Sequence, residues 1–193
     1  PASLTKLATA LVALGRLDMQ HVVTVGQEVA AEDWAGSSVG LVPGDQATVE
    51  QLLYGILLTS GNDAAAALAA GAAGSVEPFV GWMNELAGSL GMNDTHFVNP
   101  HGLDAEGHYS SAYDIQLLAR AALAQPDIAR AVAMPTASIG GWNYLNRNEL
   151  LGQYPGADGV KTGTTDEAGQ CLIASVTRDG RRVIAVILGS DDR

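Results

Sequence analysis

A serine and a lysine stand three residues apart at the start of the chain, in Pro1-Ala-Ser3-Leu-Thr-Lys6. They open an apolar run, Leu4 to Leu17, with apolar residues at 4, 7, 8, 11, 12, 14 and 17. That spacing is a helix period. Helical positions i and i+3 share a face, with side chains about 5–6 Å apart. An amine at 6 can therefore take a proton from a hydroxyl at 3. The first turn of a helix also offers free N–H groups and the positive end of the dipole, which favour developing negative charge. Together these describe an activated nucleophile with its base. Ser-x-x-Lys by itself is equally a Ser N-cap beside a solvated Lys.

Lysine usage separates the two readings. Of ten Lys plus Arg, only Lys6 and Lys161 are Lys. Arg stays charged in proteins, whereas a buried Lys can shift its pKa and act as a base. Lys161 opens Lys161-Thr162-Gly163, and between the two lysines lies Ser60-Gly61-Asn62. Alone, the middle motif is a helix-ending turn and the last an edge-strand Lys before a turn. In this order they make a set for acyl transfer. Ser3 attacks a carbonyl. Lys6 takes its proton if burial and a second ammonium depress its pKa. Ser60 relays a proton to a leaving amine, and Asn62 holds a substrate amide. Lys161 and Thr162 offer a cation and a hydroxyl to a carboxylate, beside Gly163 and Thr164. The N–H groups of Ser3 and Thr164 form an oxyanion hole.

The elements that must position these residues can be read in order. The run from Leu4 reads as a buried helix ending near Gly15 or soon after. Residues 21–47 are loops with short β-prone pieces at His21–Val25 and Val39–Val42. Thr48-Val-Glu-Gln51 is a capping box for a helix over 49–59. An Ala-rich, closely packed helix follows from a cap at Asn62 or Asp63. Further helices start after Ser75, at Ser111 and at Pro126. Residues 95–109 are loop and 136–159 are mixed. Gly159–Thr165, Gln170–Thr177 and Arg182–Leu188 are strands, the last two joined through Asp179-Gly180 as a hairpin. The final strand is apolar on both faces, which predicts a central position covered on both sides. The chain reads as one domain over 1–193, with an α/β layer (1–17 plus 136–193) and a mostly helical lobe (18–135) enclosing a cleft.

Composition is that of an ordinary soluble globular protein, not a disordered one: 47% hydrophobic and 16% charged residues are ordinary values. A net charge of −11 argues against nucleic acid as a partner, so an anionic ligand must be held by a few local cations. The single cysteine, Cys171, permits no intramolecular disulfide and reads as a core residue. His96, His101 and His108 share a loop with Asp104 and Glu106, but the spacing fits no regular metal pattern. No metal or other cofactor is expected. Trp34, Trp82 and Trp142 read as core or cleft wall, with Trp142 lining the substrate groove.

The three motifs are a set shared by β-lactamases and penicillin-binding proteins. The chain resembles the D-alanyl-D-alanine carboxypeptidases, the low-molecular-weight penicillin-binding proteins, over essentially its whole length. Pro1-Ala-Ser-Leu-Thr-Lys-Leu-Ala-Thr-Ala, Leu52-Leu-Tyr-Gly-Ile-Leu-Leu-Thr-Ser-Gly-Asn-Asp-Ala-Ala, Thr95-His-Phe-Val-Asn-Pro-His-Gly-Leu103 and Gly159-Val-Lys-Thr-Gly-Thr-Thr165 carry the match. The resemblance implies a serine β-lactamase/transpeptidase-like fold, with an antiparallel sheet, packed helices and an inserted helical lobe. It implies removal of the terminal D-alanine from peptidoglycan stem peptides through an acyl-Ser3 intermediate, and capture by β-lactams. It also implies work outside the cytoplasmic membrane, after export by a signal peptide not present in this chain. Against the family pattern the chain reads as truncated at both ends, which predicts a final strand whose outer edge is open or filled by another chain. A β-lactamase, with Glu77 as the deacylating group, and a non-catalytic binding module are the alternatives.

Overall fold

The structure, a computed structural model, describes residues 1–30 and 37–192; Trp34 lies outside them. The N-terminal helix forms in two steps. Ala2–Thr5 make a 3-10 turn, and α1 follows over Lys6–Leu14, ending at Gly15. Ser3 is therefore on the tighter turn that leads into α1, not on α1 itself. Leu7, Ala8, Ala10, Val12 and Ala13 are all buried, because α1 is enclosed by other helices.

Strand β1 (Val22–Thr24) pairs antiparallel with β2 (Gln46–Thr48). The predicted strand piece Val39–Val42 is instead loop, and the partner of β1 lies just beyond Pro43-Gly44. Its backbone N–H groups are captured by a side chain, described below. Thr48 closes the capping box with Gln51, opening α2 (Val49–Tyr54). The helix then widens into a π-turn over Gly55–Thr59. Leu52, Leu53, Ile56 and Leu57 are each at most 1% exposed. Burial of each such side chain stabilises by about 1.5–3 kcal/mol.

The Ala-rich helix is α3 (Asn62–Ala73). Neither Asn62 nor Asp63 caps it; Gly61 is the N-cap, and both side chains are used elsewhere. Close packing is real: a Cβ at Gly71 would lie 2.5 Å from Val23 Cγ1. Helix α4 (Val76–Ser89) follows, with Glu77 in its first turn. The 95–109 loop is tied once, by a bridge between His96 and Tyr109. Then come α5 (Ala112–Ala124), capped by Ser111, and α6 (Pro126–Val132).

The mixed region holds a hairpin, β3 (Thr136–Ile139) with β4 (Trp142–Leu145). The main sheet is β5 (Ala157–Thr165), β6 (Gly169–Arg178) and β7 (Arg181–Ser190), antiparallel in that order. Helix α5 packs on β7 and α6 on β5.

Strand β7 has the open outer edge expected of it but not the expected cover on both faces. It is an edge strand, paired only with β6 among the described residues. Ile184, Val186 and Leu188 pack inward, but Val183 and Ile187 on the other face are 67% and 42% exposed. Its apolar run is thus half covered, not buried on both faces. Cys171 is a buried free thiol.

Candidate active site

The turn bearing Ser3 is held by its neighbours. Ala2, just before it, has φ 49°, a left-handed conformation costly for a residue with a Cβ. Two glycines let other segments press on this turn. A Cβ at Gly163 on β5 would lie 2.8 Å from the Ser3 nitrogen, and one at Gly102 would lie 2.0 Å from the Ala2 carbonyl oxygen. Only glycine allows either approach.

Lys6 is wholly buried. Its Nζ lies 2.7 Å from each of three oxygens: Ser3 Oγ, Asn62 Oδ1 and the His101 carbonyl. Two of these can only accept, while the hydroxyl can also donate. A neutral amine fits this set: it donates to Asn62 and His101 and accepts the Ser3 proton. Burial pushes the Lys6 pKa well below its usual value, reinforced by Lys161 and then Arg147, with Asp63 opposing. The geometry thus supplies a base poised on the nucleophile.

Ser60 ends the π-turn with φ 69°. A π-turn feeding a left-handed serine is a strained device that aims one side chain. Lys161, 1% exposed on β5, donates from Nζ to Ser60 Oγ at 2.8 Å and to the Thr162 carbonyl at 2.9 Å. A serine touching an ammonium can take and return a proton at low cost.

These groups converge on one cleft of about 340 Å³, lined by Ser3, Ser60, Asn62, Thr162, Gly163 and Thr164. Lys6 and Lys161 lie directly behind, bonded to Ser3 and Ser60 respectively. All eight residues singled out from the sequence are therefore brought together. Asn62 Oδ1 accepts from Lys6 Nζ. Thr164 Oγ1 bonds Gln170 Oε1 at 2.7 Å. Asp104 accepts from Thr165 Oγ1 at 2.6 Å and from the Glu167 N–H, tying the 95–109 loop to the end of β5.

Sequence reasoning missed Ser37, Asp104 and Arg147, which also line the cleft. Arg147 follows the β3–β4 hairpin, and nothing in its local pattern marks it. Its exposure beside a cleft otherwise served by two buried lysines is visible only in three dimensions. Trp142 is not in the cleft. It packs 6.4 Å from Tyr144, ring to ring, and lines a separate hollow with Ser38, Val39 and Asp45. Glu77 does not line the cleft.

The loop histidines are structural. His108 Nδ1 accepts from the Val98 N–H while Nε2 meets Thr5 Oγ1 at 2.9 Å. His101 Nδ1 accepts from the Leu103 N–H. Both are used as neutral rings. Burial above all lowers their pKa values, to about 3 for His101 and about 4 for His108.

Known proteins are similar to this chain in sequence and in fold. A family model described as D-alanyl-D-alanine carboxypeptidase (peptidase S11) matches residues 1–192. D-alanyl-D-alanine carboxypeptidase DacF of Bacillus subtilis is 40% identical over 201 residues, covering 98% of this chain and 51% of the relative. DacA of Escherichia coli is 42% identical over 200 residues, covering 98% and 50%. The chain thus spans about half the length of these curated relatives. A crystal structure of D-alanyl-D-alanine carboxypeptidase from Mycobacterium tuberculosis superposes with TM-score 0.89 at 40% identity, over 97% of this chain and 72% of that one. Penicillin binding protein 6B from Escherichia coli gives TM-score 0.90 at 40% identity, over 99% and 64%. With sequence and fold in agreement, the chain belongs to the D-alanyl-D-alanine carboxypeptidase family.

Proposed function

We propose that this chain carries out serine-type D-Ala-D-Ala carboxypeptidase chemistry on peptidoglycan stem peptides. One observation carries the reading: a buried amine, Lys6, bonded at 2.7 Å to the hydroxyl of Ser3, in a cleft where a second lysine–serine pair meets at 2.8 Å. Ser3 Oγ attacks the carbonyl of the penultimate D-alanine as its proton passes to Lys6. The oxyanion is received by the N–H groups of Ser3 and Thr164. Collapse breaks the C–N bond, and a proton delivered through Ser60 leaves with the free D-alanine. Water then hydrolyses the acyl-Ser3 ester, with Lys6 again taking a proton. Lys161, Thr162 and Arg147 hold the substrate carboxylate. A β-lactam enters by the same first step, and its ring opening leaves the acyl group on Ser3. We place this activity outside the cytoplasmic membrane, where the substrate lies, and the exposed edge of β7 as a surface for strand pairing.

Intact mass after incubation with penicillin tests the reading, with Ser3→Ala as control. One stable adduct, absent from the variant, is expected. Hydrolysed penicillin without an adduct would indicate a β-lactamase. Neither adduct nor hydrolysis on folded protein would refute the assignment.

A further inference from the structure

Asp63 is a buried carboxylate that the reaction as written does not use. It follows Asn62 at the start of α3 and is 0% exposed. Its oxygens accept from Ser38 Oγ at 2.6 Å and from the N–H groups of Val39 at 3.0 Å, Gly40 at 2.9 Å and Leu41 at 3.0 Å. The Ala64 N–H donates as well, at 2.8 Å. Three consecutive loop N–H groups thus end on one side chain, which explains why 39–42 forms no strand. The same loop begins at Ser37, in the cleft wall, and the Ser37 carbonyl accepts from the Asn62 N–H at 2.9 Å. Asn62 in turn holds Lys6.

We propose that Asp63 is a positioning residue for acyl transfer: it fastens residues 38–41, the loop next to the cleft-wall residue Ser37, to α3 and thereby holds Asn62 against Lys6. The inference rests on the acyl-transfer reading above. It has an electrostatic side as well as a mechanical one. The charged and titratable groups acting around Lys6 are Lys161 from β5, Arg147 after β4, His101 from the 95–109 loop and Asp63 from α3. Asp63 alone among them is acidic. An amide at 63 cannot replace it. Whichever way the amide turns, its NH2 faces N–H groups that are themselves donors, those of Val39 and Ala64 in one orientation or those of Gly40 and Leu41 in the other, so the anchor weakens. A carboxylate with several charge-assisted bonds is the strong form of such an anchor.

Acylation of the whole chain by a fluorescent penicillin, measured from pH 5 to 10, provides the test. In Asp63→Asn the rate should fall at least tenfold. The acid limb, set by deprotonation of Lys6, should move to lower pH by about half a unit or more, because a stabilising negative charge is gone. Ser38→Ala removes one loop contact and keeps the charge, so acylation should slow several-fold with the limb unmoved. A folded Asp63→Asn with either a wild-type rate or an unmoved limb overturns the proposal. If that variant does not fold, a wild-type rate in Ser38→Ala overturns it. Failure of the wild type itself to acylate would instead sink the acyl-transfer reading.

Discussion

Gly163→Ala tests whether the distance between β5 and the nucleophile turn is a catalytic quantity. The added Cβ would lie 2.8 Å from the Ser3 nitrogen, 3.0 Å from Ala2 Cβ and 3.3 Å from the Leu4 nitrogen. Two of these three neighbours are backbone atoms, so no side chain can rotate away. Ordinary contact begins near 3.4 Å, and strand and turn must part by about 0.6 Å. A misplacement of about 1 Å costs on the order of a hundredfold in rate, so acylation should slow by about ten- to a hundredfold. Overpacking also costs about 1–3 kcal/mol, which lowers the melting temperature by about 2–4 °C per kcal/mol in a chain of this size. Gly88→Ala on α4 is the control. A Cβ there meets nothing within 4 Å, and an exposed helical Gly→Ala change should stabilise by about 0.5–1 kcal/mol. The assay is the second-order rate of fluorescent-penicillin capture, beside thermal unfolding. A Gly163→Ala protein that folds and acylates at the wild-type rate would show that this contact does not set catalysis.

Lys6→Arg should abolish capture, by about 10²–10⁴-fold, because a guanidinium does not deprotonate in proteins; appreciable labelling at pH 8 would remove Lys6 from the role of base. Stability should fall on acidification. The folded pKa values of His101 and His108, about 3 and about 4, lie below the unfolded value near 6.5, so the unfolded state binds more protons between them and stability is lost as pH drops through that window. Urea midpoints at pH 7 and pH 4.5 measure this, and His108→Gln should flatten the difference. Thr48→Ala removes the capping box at α2 and should cost about 0.5–2 kcal/mol without changing the pH dependence of acylation, read by unfolding and by the same capture assay.

Local chemistry made most elements legible. The capping box at Thr48 and the Asp179-Gly180 hairpin each act over a few residues and appear where the pattern places them, and the period of Leu4–Leu17 yields α1 over its central part, Lys6–Leu14. The candidate site was legible for a related reason. Ser3, Lys6, Ser60, Asn62 and Lys161-Thr162-Gly163-Thr164 are chemically unusual choices at element junctions, and two lysines in an arginine-using chain mark themselves. The failures share the opposite property. Val39–Val42 has strand composition, but the N–H groups of Val39, Gly40 and Leu41 go to a carboxylate more than twenty residues away. Strand β7 has the composition of a central strand, yet whether a face is covered depends on what packs there. Trp142 has the chemistry of a groove residue and lines a different hollow.

The sequence by itself determined the residue types able to do the chemistry, their order, and the helices and strands that carry them. Those follow from short-range propensity, capping and turn geometry. The tertiary structure decided the rest. It set the 2.7 Å contacts that make Lys6 a base, the left-handed turn at Ser60 that meets Lys161, and the entry of Arg147 into the cleft. It also enlisted Asp63 as the anchor of the cleft wall. Each joins segments tens of residues apart, and burial and contact between such segments exist only once the chain has closed on itself.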